Sequence, residues 1–126
     1  MLRKILITFV SAALLAVPHP AHARPRSSSY CSTDREVCQS VGKVSGVRWL
    51  QIRTAGMYFA RYRLCVTAPD HSRSCHRFRM FETRTGGFAS SIRWRRHFPT
   101  KGSGEYSVTW KLMSGNRIGR RLNFHR

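Results

Sequence analysis

Hydrophobic and polar residues alternate with a period of two over most of the chain beyond Gly46, as strands do when one face is buried and the other wet. In "GEYSVTWKL", Tyr106, Val108, Trp110 and Leu112 point one way, and Glu105, Ser107, Thr109 and Lys111 point the other. In "SSIRWRRHF", Ile92, Trp94 and Phe98 alternate with Arg93, Arg95 and His97, with Arg96 as a local fault or bulge. "GVRWLQIRT" reads as a strand rich in β-formers, and "MYFARYRLCV" leads into another. "SGN" at 114–116 is a turn, and "RIGRRLNFHR" closes the chain with Ile118, Leu122 and Phe124 as its apolar set. Strands at intervals of roughly ten residues, separated by Gly, Pro and Ser, predict an all-β sandwich or barrel. No later segment keeps a helical period, and no repeat or linker divides the chain. The stretch from Arg24 to Lys43, rich in Ser and charge, is read as a loose N-terminal arm tethered by its own disulfide, leaving 44–126 as the folded domain.

The same alternation gives a register in "RYRLCVTAPDHSRSCHRFRM", from Arg61 to Met80. A hairpin about the Pro69-Asp70 turn that sets Cys65 opposite Cys75 also sets Thr67 opposite Arg73, Arg63 opposite Arg77 and Arg61 opposite Arg79. Tyr62, Leu64 and Val66 then share the underside with Phe78 and Met80. One register thus yields an apolar face and, in line on the other, a cystine and a comb of arginines.

The first 23 residues stand apart from this pattern. Arg3 and Lys4 precede the 13-residue apolar run Ile5–Val17, and "HPAHA" ends in a small-x-small site at Ala21 and Ala23. A basic head, a short apolar run and an Ala-x-Ala site describe a secretory signal peptide, the run being far short of the roughly 20 residues that span a bilayer. Cleavage after Ala23 leaves residues 24 to 126, one domain's length with no later membrane-spanning stretch. Four cysteines in an exported chain of this size imply two disulfides. Three pairings are possible; spacing favours Cys31 with Cys38 and, on the hairpin register, Cys65 with Cys75. Zinc is disfavoured because the short paired Cys-x-x-Cys clusters of such sites are missing.

The segment "TKGSGEYSVTW" has the local shape of the tyrosine corner of immunoglobulin-like sandwiches, with Tyr106 opening the penultimate strand. About seven strands result, an immunoglobulin-like antiparallel β-sandwich stapled by two short-range disulfides. "YC" at 30–31, "YRLCVTAPDHSRSC", "SIRWRRHFP" and "GEYSVTWKL" resemble pieces of a set of small exported actinobacterial proteins of unknown function. In outline the chain is also similar to the enediyne apoproteins, immunoglobulin-like sandwiches with two short-range disulfides. The first resemblance implies fold and export. The second stops at architecture, because no ligand-pocket motif matches and the chain is far more basic.

Charge changes the picture from fold to partner. The whole chain carries +18; without its first 23 residues it keeps 21 Lys and Arg against five acids, a net charge of +16. Such a field attracts polyanions such as anionic wall polymers or nucleic acid. The expected contact is the flat square of Arg61, Arg63, Arg77 and Arg79, since guanidinium groups grip phosphate and carboxylate bidentately. Arg117, Arg120, Arg121 and Arg126 are taken as charges lying elsewhere. Trp94 and Trp110 fall in phase with aliphatic neighbours and are read as core. Trp49 faces outward between Arg48 and Arg53 if Leu50 and Ile52 face in, as a stacking or sugar-contact residue would.

Catalytic motifs are missing: no Gly-rich phosphate loop, no Gly-x-Ser-x-Gly and no His-Glu-x-x-His occurs. Five scattered acids (Asp34, Glu36, Asp70, Glu82 and Glu105) are sparse for paired-carboxylate hydrolysis. The nearest enzymatic alternative is a secreted ribonuclease using His71, His76 or His97 with Glu82 or Glu105 among the arginines. His71 is read as a turn residue, His76 as lying on an edge arm and His97 as an outward strand position. The expectation is therefore a secreted, monomeric, non-enzymatic cationic module without cofactor or metal that contacts anionic polymer. A protein-protein interaction domain is the remaining alternative.

Overall fold

The computed structural model describes residues 28–126, so the leader expected at 1–23 and its cleavage site lie outside the described residues. Nine strands and one helical turn follow in order: β1 (Ser28–Cys31), β2 (Val37–Val44), β3 (Val47–Thr54), β4 (Arg61–Thr67), β5 (Arg73–Arg79), β6 (Phe81–Glu82), β7 (Phe88–Arg93), α1 (Trp94–His97), β8 (Glu105–Lys111) and β9 (Arg117–His125). They form a five-stranded sheet in the order β1-β2-β3-β7-β6 and a four-stranded sheet in the order β5-β4-β8-β9. Without β1, this is the A-B-E-D and C′-C-F-G arrangement of an immunoglobulin-like antiparallel sandwich. No helix of the described residues is long and apolar enough to cross a membrane.

Two departures from the sequence reading raise the strand count from about seven to nine and break one strand early. From Ser28 onward, the segment read as a loose arm is built into the sheet. β2 pairs with β3 along its whole length, from Val37 opposite Thr54 to Val44 opposite Val47. Its inward residues are Val37, Gln39 and Val41, the last two fully buried. The period-two pattern was there, but Ser, Gly and Gln carry half of it, so hydrophobicity alone understates the strand. The second departure is at "WRRH", which is the helical turn α1 rather than a continued strand. Trp94 and Phe98 lie four residues apart, and one helical turn returns both to the core while Arg95, Arg96 and His97 stay in water. The Phe98 N–H closes the turn on the Trp94 carbonyl at 2.9 Å.

The core fills the space between the sheets. Val41, Leu50 and Ile52 from one sheet meet Tyr62, Leu64, Val66, Tyr106, Val108 and Trp110 from the other, all essentially inaccessible. Burying a side chain of this size contributes about 1.5–3 kcal/mol against leaving it in water. Trp94 and Trp110 are core residues as read, and each indole N–H is buried with no hydrogen-bond partner among the described residues.

Two buried polar bridges tie the sheets together. The Tyr62 hydroxyl donates to Ser90 Oγ at 2.7 Å, and burial pushes its pKa up to about 12 against the opposing pull of that bond. The Gln39 amide of β2 donates to the Ile118 carbonyl at 2.9 Å and accepts the Arg120 N–H at 2.9 Å. Both Gln39 partners lie in β9, beside a bulge between the residues facing Val108 and Trp110. The tyrosine corner is present at β8: Tyr106 Oη donates to the Gly102 carbonyl at 2.6 Å and accepts the Lys101 N–H at 3.0 Å. Both disulfides join directly opposed residues, Cys31 with Cys38 across β1 and β2, and Cys65 with Cys75 across β4 and β5.

Candidate anion-binding face

The arginine comb stands on the outer face of the four-stranded sheet. Arg61 opposes Arg79, Arg63 opposes Arg77 and Thr67 opposes Arg73, the register expected from the cystine. On its other edge, β4 pairs with β8 so that Arg63 faces Lys111, and Lys111 in turn faces Arg117 of β9. Arg77, Arg63, Lys111 and Arg117 therefore form one row across all four strands. At about 4.8 Å per strand the row is roughly 14 Å wide. Arg61 and Arg79 extend it by a second rank. No carboxylate of the described residues pairs with any of these six cations. Glu105, an acid on this face, sits at the far end opposite His125.

Arg117 thus belongs to the comb, not to the charges lying elsewhere. Arg120 does lie apart, its guanidinium 4.8 Å above the Tyr30 ring. Reading the turn could have located Arg117: with Gly115 in the β8–β9 turn, Lys111 and Arg117 are the residues that meet as the hairpin closes.

Trp49 is half-buried on the outer face of the other sheet, away from the comb. Leu50 and Ile52 do face the core, which turns Trp49 outward as expected. Its charged partner is not a sequence neighbour. Arg93 of β7 sits directly opposite in the ladder, with its guanidinium 5.0 Å from the indole centroid. Arg48 alternates to the inner side and lies over the Phe124 ring at 4.7 Å. The four arginines and Trp49, the five expected binding residues, therefore lie on two opposite faces, because the two sheets of a sandwich turn their outer surfaces away from each other.

Of the histidines, His71 occupies the β4–β5 turn with a positive φ of 68°. Asp70 holds that turn by accepting the Ser72 N–H at 3.0 Å and its hydroxyl at 2.6 Å. Those bonds, the side-chain one first, draw the Asp70 carboxyl below its usual range. His97 is on α1 rather than on a strand, and this brings it near His76, with ring centroids 6.4 Å apart. His76 packs edge-on to Phe98 and His97 edge-on to Phe78, each at 5.0 Å. Desolvation, then the neighbouring His76 and Arg96, lower the His97 pKa. Glu82 lies on β6 and Glu105 opposite His125, so neither ladder position brings a carboxylate to the pair. Among the described residues no group of three or more His, Cys, Asp or Glu side chains could hold a metal ion.

In comparisons with known proteins, no family model matches the chain, and no curated protein or solved structure matches it.

Proposed function

We propose that this protein is a secreted, non-enzymatic cationic module, associated with the cell envelope, that contacts anionic polymers through the outer face of its four-stranded sheet. The observation that carries the reading is the unbroken row Arg77, Arg63, Lys111 and Arg117, flanked by Arg61 and Arg79, with no carboxylate of the described residues paired to it. A flat cationic face of this kind follows a polymer backbone and releases its counterions, so binding is weak, sequence-independent and steeply salt-dependent. Two disulfides in a small β domain are compatible with an extracellular setting. Export itself rests on the basic head, apolar run and Ala-x-Ala site at 1–23.

The test is the salt dependence of binding to a wall teichoic acid or a single-stranded nucleic acid. Six contacts give a slope of log K against log salt of roughly −4 to −5, and each cation removed flattens it by about 1. Replacing Arg61, Arg63, Arg77 and Arg79 by Ser is expected to flatten the slope by about 3 to 4. Substituting Arg35, Arg53 and Arg84, which lie off this face, is expected to change it much less per charge. Equal effects per charge would mean that the whole molecule acts as a diffuse field and the face is no site.

The His76–His97 pair is the observation favouring a second reading, a ribonuclease with two histidines as acid and base. That reading requires RNA turnover with a bell-shaped pH profile, abolished by His76→Ala or His97→Ala with polymer binding intact. The expected result is no turnover above background.

A further inference from the structure

At the end of the sandwich opposite the arginine row, three segments far apart in the chain meet around an open cleft of about 820 Å³. β9 begins at Arg117, in the row, and ends at His125, on the cleft, so its length of roughly 27 Å separates the two. The β2–β3 turn region contributes Lys43 and Arg48, the β7–α1 junction Arg93, Arg95 and Arg96, and the end of the chain Arg126. Among the described residues, no Asp or Glu lines the cleft. The nearest acid in the ladder is Glu105, across from His125 on the outer sheet face.

Two of these cations lie over aromatic rings. Arg48 lies over Phe124 and donates to the His125 carbonyl at 3.4 Å, and Arg93 lies over Trp49. Below them Trp94 and Phe124 form a buried aromatic floor with ring centroids 5.1 Å apart. An apolar floor lowers the local dielectric and strengthens attraction to any anion that enters. Lys43, Arg93, Arg95, Arg96 and Arg126, converging on one concavity, also repel one another, and an anion entering it relieves that repulsion. The cleft volume falls within the range of about 300–1,000 Å³ typical of small-molecule sites. Arginine forks match phosphate oxygens bidentately, so the density of guanidinium groups favours several adjacent phosphates over a single carboxylate.

We propose that this cleft is a binding site for a small oligophosphate, a run of adjacent phosphate groups either free or carried on a nucleoside. It stands independently of the polymer-binding face, because no residue is shared between them.

Isothermal titration of the purified, disulfide-bonded protein at about 150 mM NaCl, near the physiological screening length, with inorganic tripolyphosphate as probe, tests the site. The expected result is saturable binding of one tripolyphosphate per protein. The double substitution Arg95→Ser and Arg96→Ser is expected to weaken it by about tenfold or more, since hydrogen bonds to charged groups are the strong ones. The comb variant at Arg61, Arg63, Arg77 and Arg79 is expected to bind within about twofold of the unaltered protein, as it lies beyond a screening length. Arg95 and Arg96 are exposed, so the fold is expected to survive; Lys43→Ser provides a second variant that leaves α1 untouched. Tighter binding of adenosine triphosphate than of tripolyphosphate would place a base on the aromatic floor and assign the site to nucleotides. Equal binding would assign it to the phosphate chain alone. No saturable one-to-one binding, or equal losses in the comb and cleft variants, would overturn the proposal.

Discussion

Gly119 shows how one residue joins the two sheets. It sits at φ +60° in the β9 bulge, and a Cβ there would lie 2.1 Å from Gln39 Oε1 and 2.7 Å from its amide carbon. The missing side chain makes room for the Gln39 amide, which is nearly inaccessible and bonded on both sides to β9. Gly119→Ala combines left-handed backbone strain with displacement of a buried amide from two hydrogen bonds, and is expected to cost about 2–4 kcal/mol. Gly42→Ala, at ordinary φ with nothing within 4 Å of the new methyl, is expected to be neutral or slightly stabilising. Urea midpoints of the two variants check the contrast; similar midpoints would mean that the Gln39 niche contributes nothing. Nothing in "GNRIGRRL" marks this glycine as different from the turn glycine at 115, because what it accommodates comes from a strand 80 residues earlier.

Among elements, the β4–β5 hairpin has the most to balance. It opposes Arg61 to Arg79 and Arg63 to Arg77, and each like-charged pair costs a few tenths of a kcal/mol, up to about 1. The Cys65–Cys75 bridge closes a loop of ten residues, which the chain-entropy account values at roughly 2.5–3 kcal/mol. The staple therefore exceeds the repulsion, and the hairpin holds without a bound anion. Cys65→Ala with Cys75→Ser is expected to lower stability by about 2.5–3 kcal/mol. Adding serines at the four arginines recovers only part of that loss, since relief of the two pairs is worth at most about 2 kcal/mol. Chemical denaturation of the two variants measures both. Full recovery would mean that the disulfide serves only to offset charge. This hairpin was legible in advance because its register, turn and cystine are local. The helical turn α1 was not: Arg95-Arg96-His97 suits either a faulted strand or a helix, and the choice falls to the cavity that Trp94 and Phe98 both fill.

At the scale of the whole molecule, the excess of cations works against compactness. A net charge of +18 over the chain repels itself, and few acids are available to relieve it. Asp34 and Asp70 are engaged in their own turns by Ser32 and Ser72. Raising sodium chloride from about 10 to about 150 mM shortens the screening length from about 30 to about 8 Å. The melting temperature is expected to rise by several degrees, since 1 kcal/mol corresponds to about 4–8 °C in a domain of this size. A flat or falling melting temperature would show that the charges are already spaced widely enough not to interact. Tripolyphosphate at far lower ionic strength is expected to give a comparable rise if the end cleft concentrates it.

By itself the sequence determined what depends on near neighbours. Period-two alternation set the strands and their buried faces, the spacing of Cys65 and Cys75 set the hairpin register, and the Gly-x-Tyr entry at 104–106 set the tyrosine corner. Each is a short-range property, written within about ten residues of itself. What only the tertiary structure decided is which of these pieces share a surface. The comb gained Lys111 and Arg117 because β8 lies between β4 and β9. Trp49 lies on the face away from the comb because β3 belongs to the other sheet, and Arg93 rather than Arg48 or Arg53 became its partner through strand pairing across 44 positions. The cleft needs three segments that no local pattern connects. Long-range pairing depends on which buried faces fit together in the core, a choice made by shape and volume across the sandwich rather than by any stretch of residues read alone.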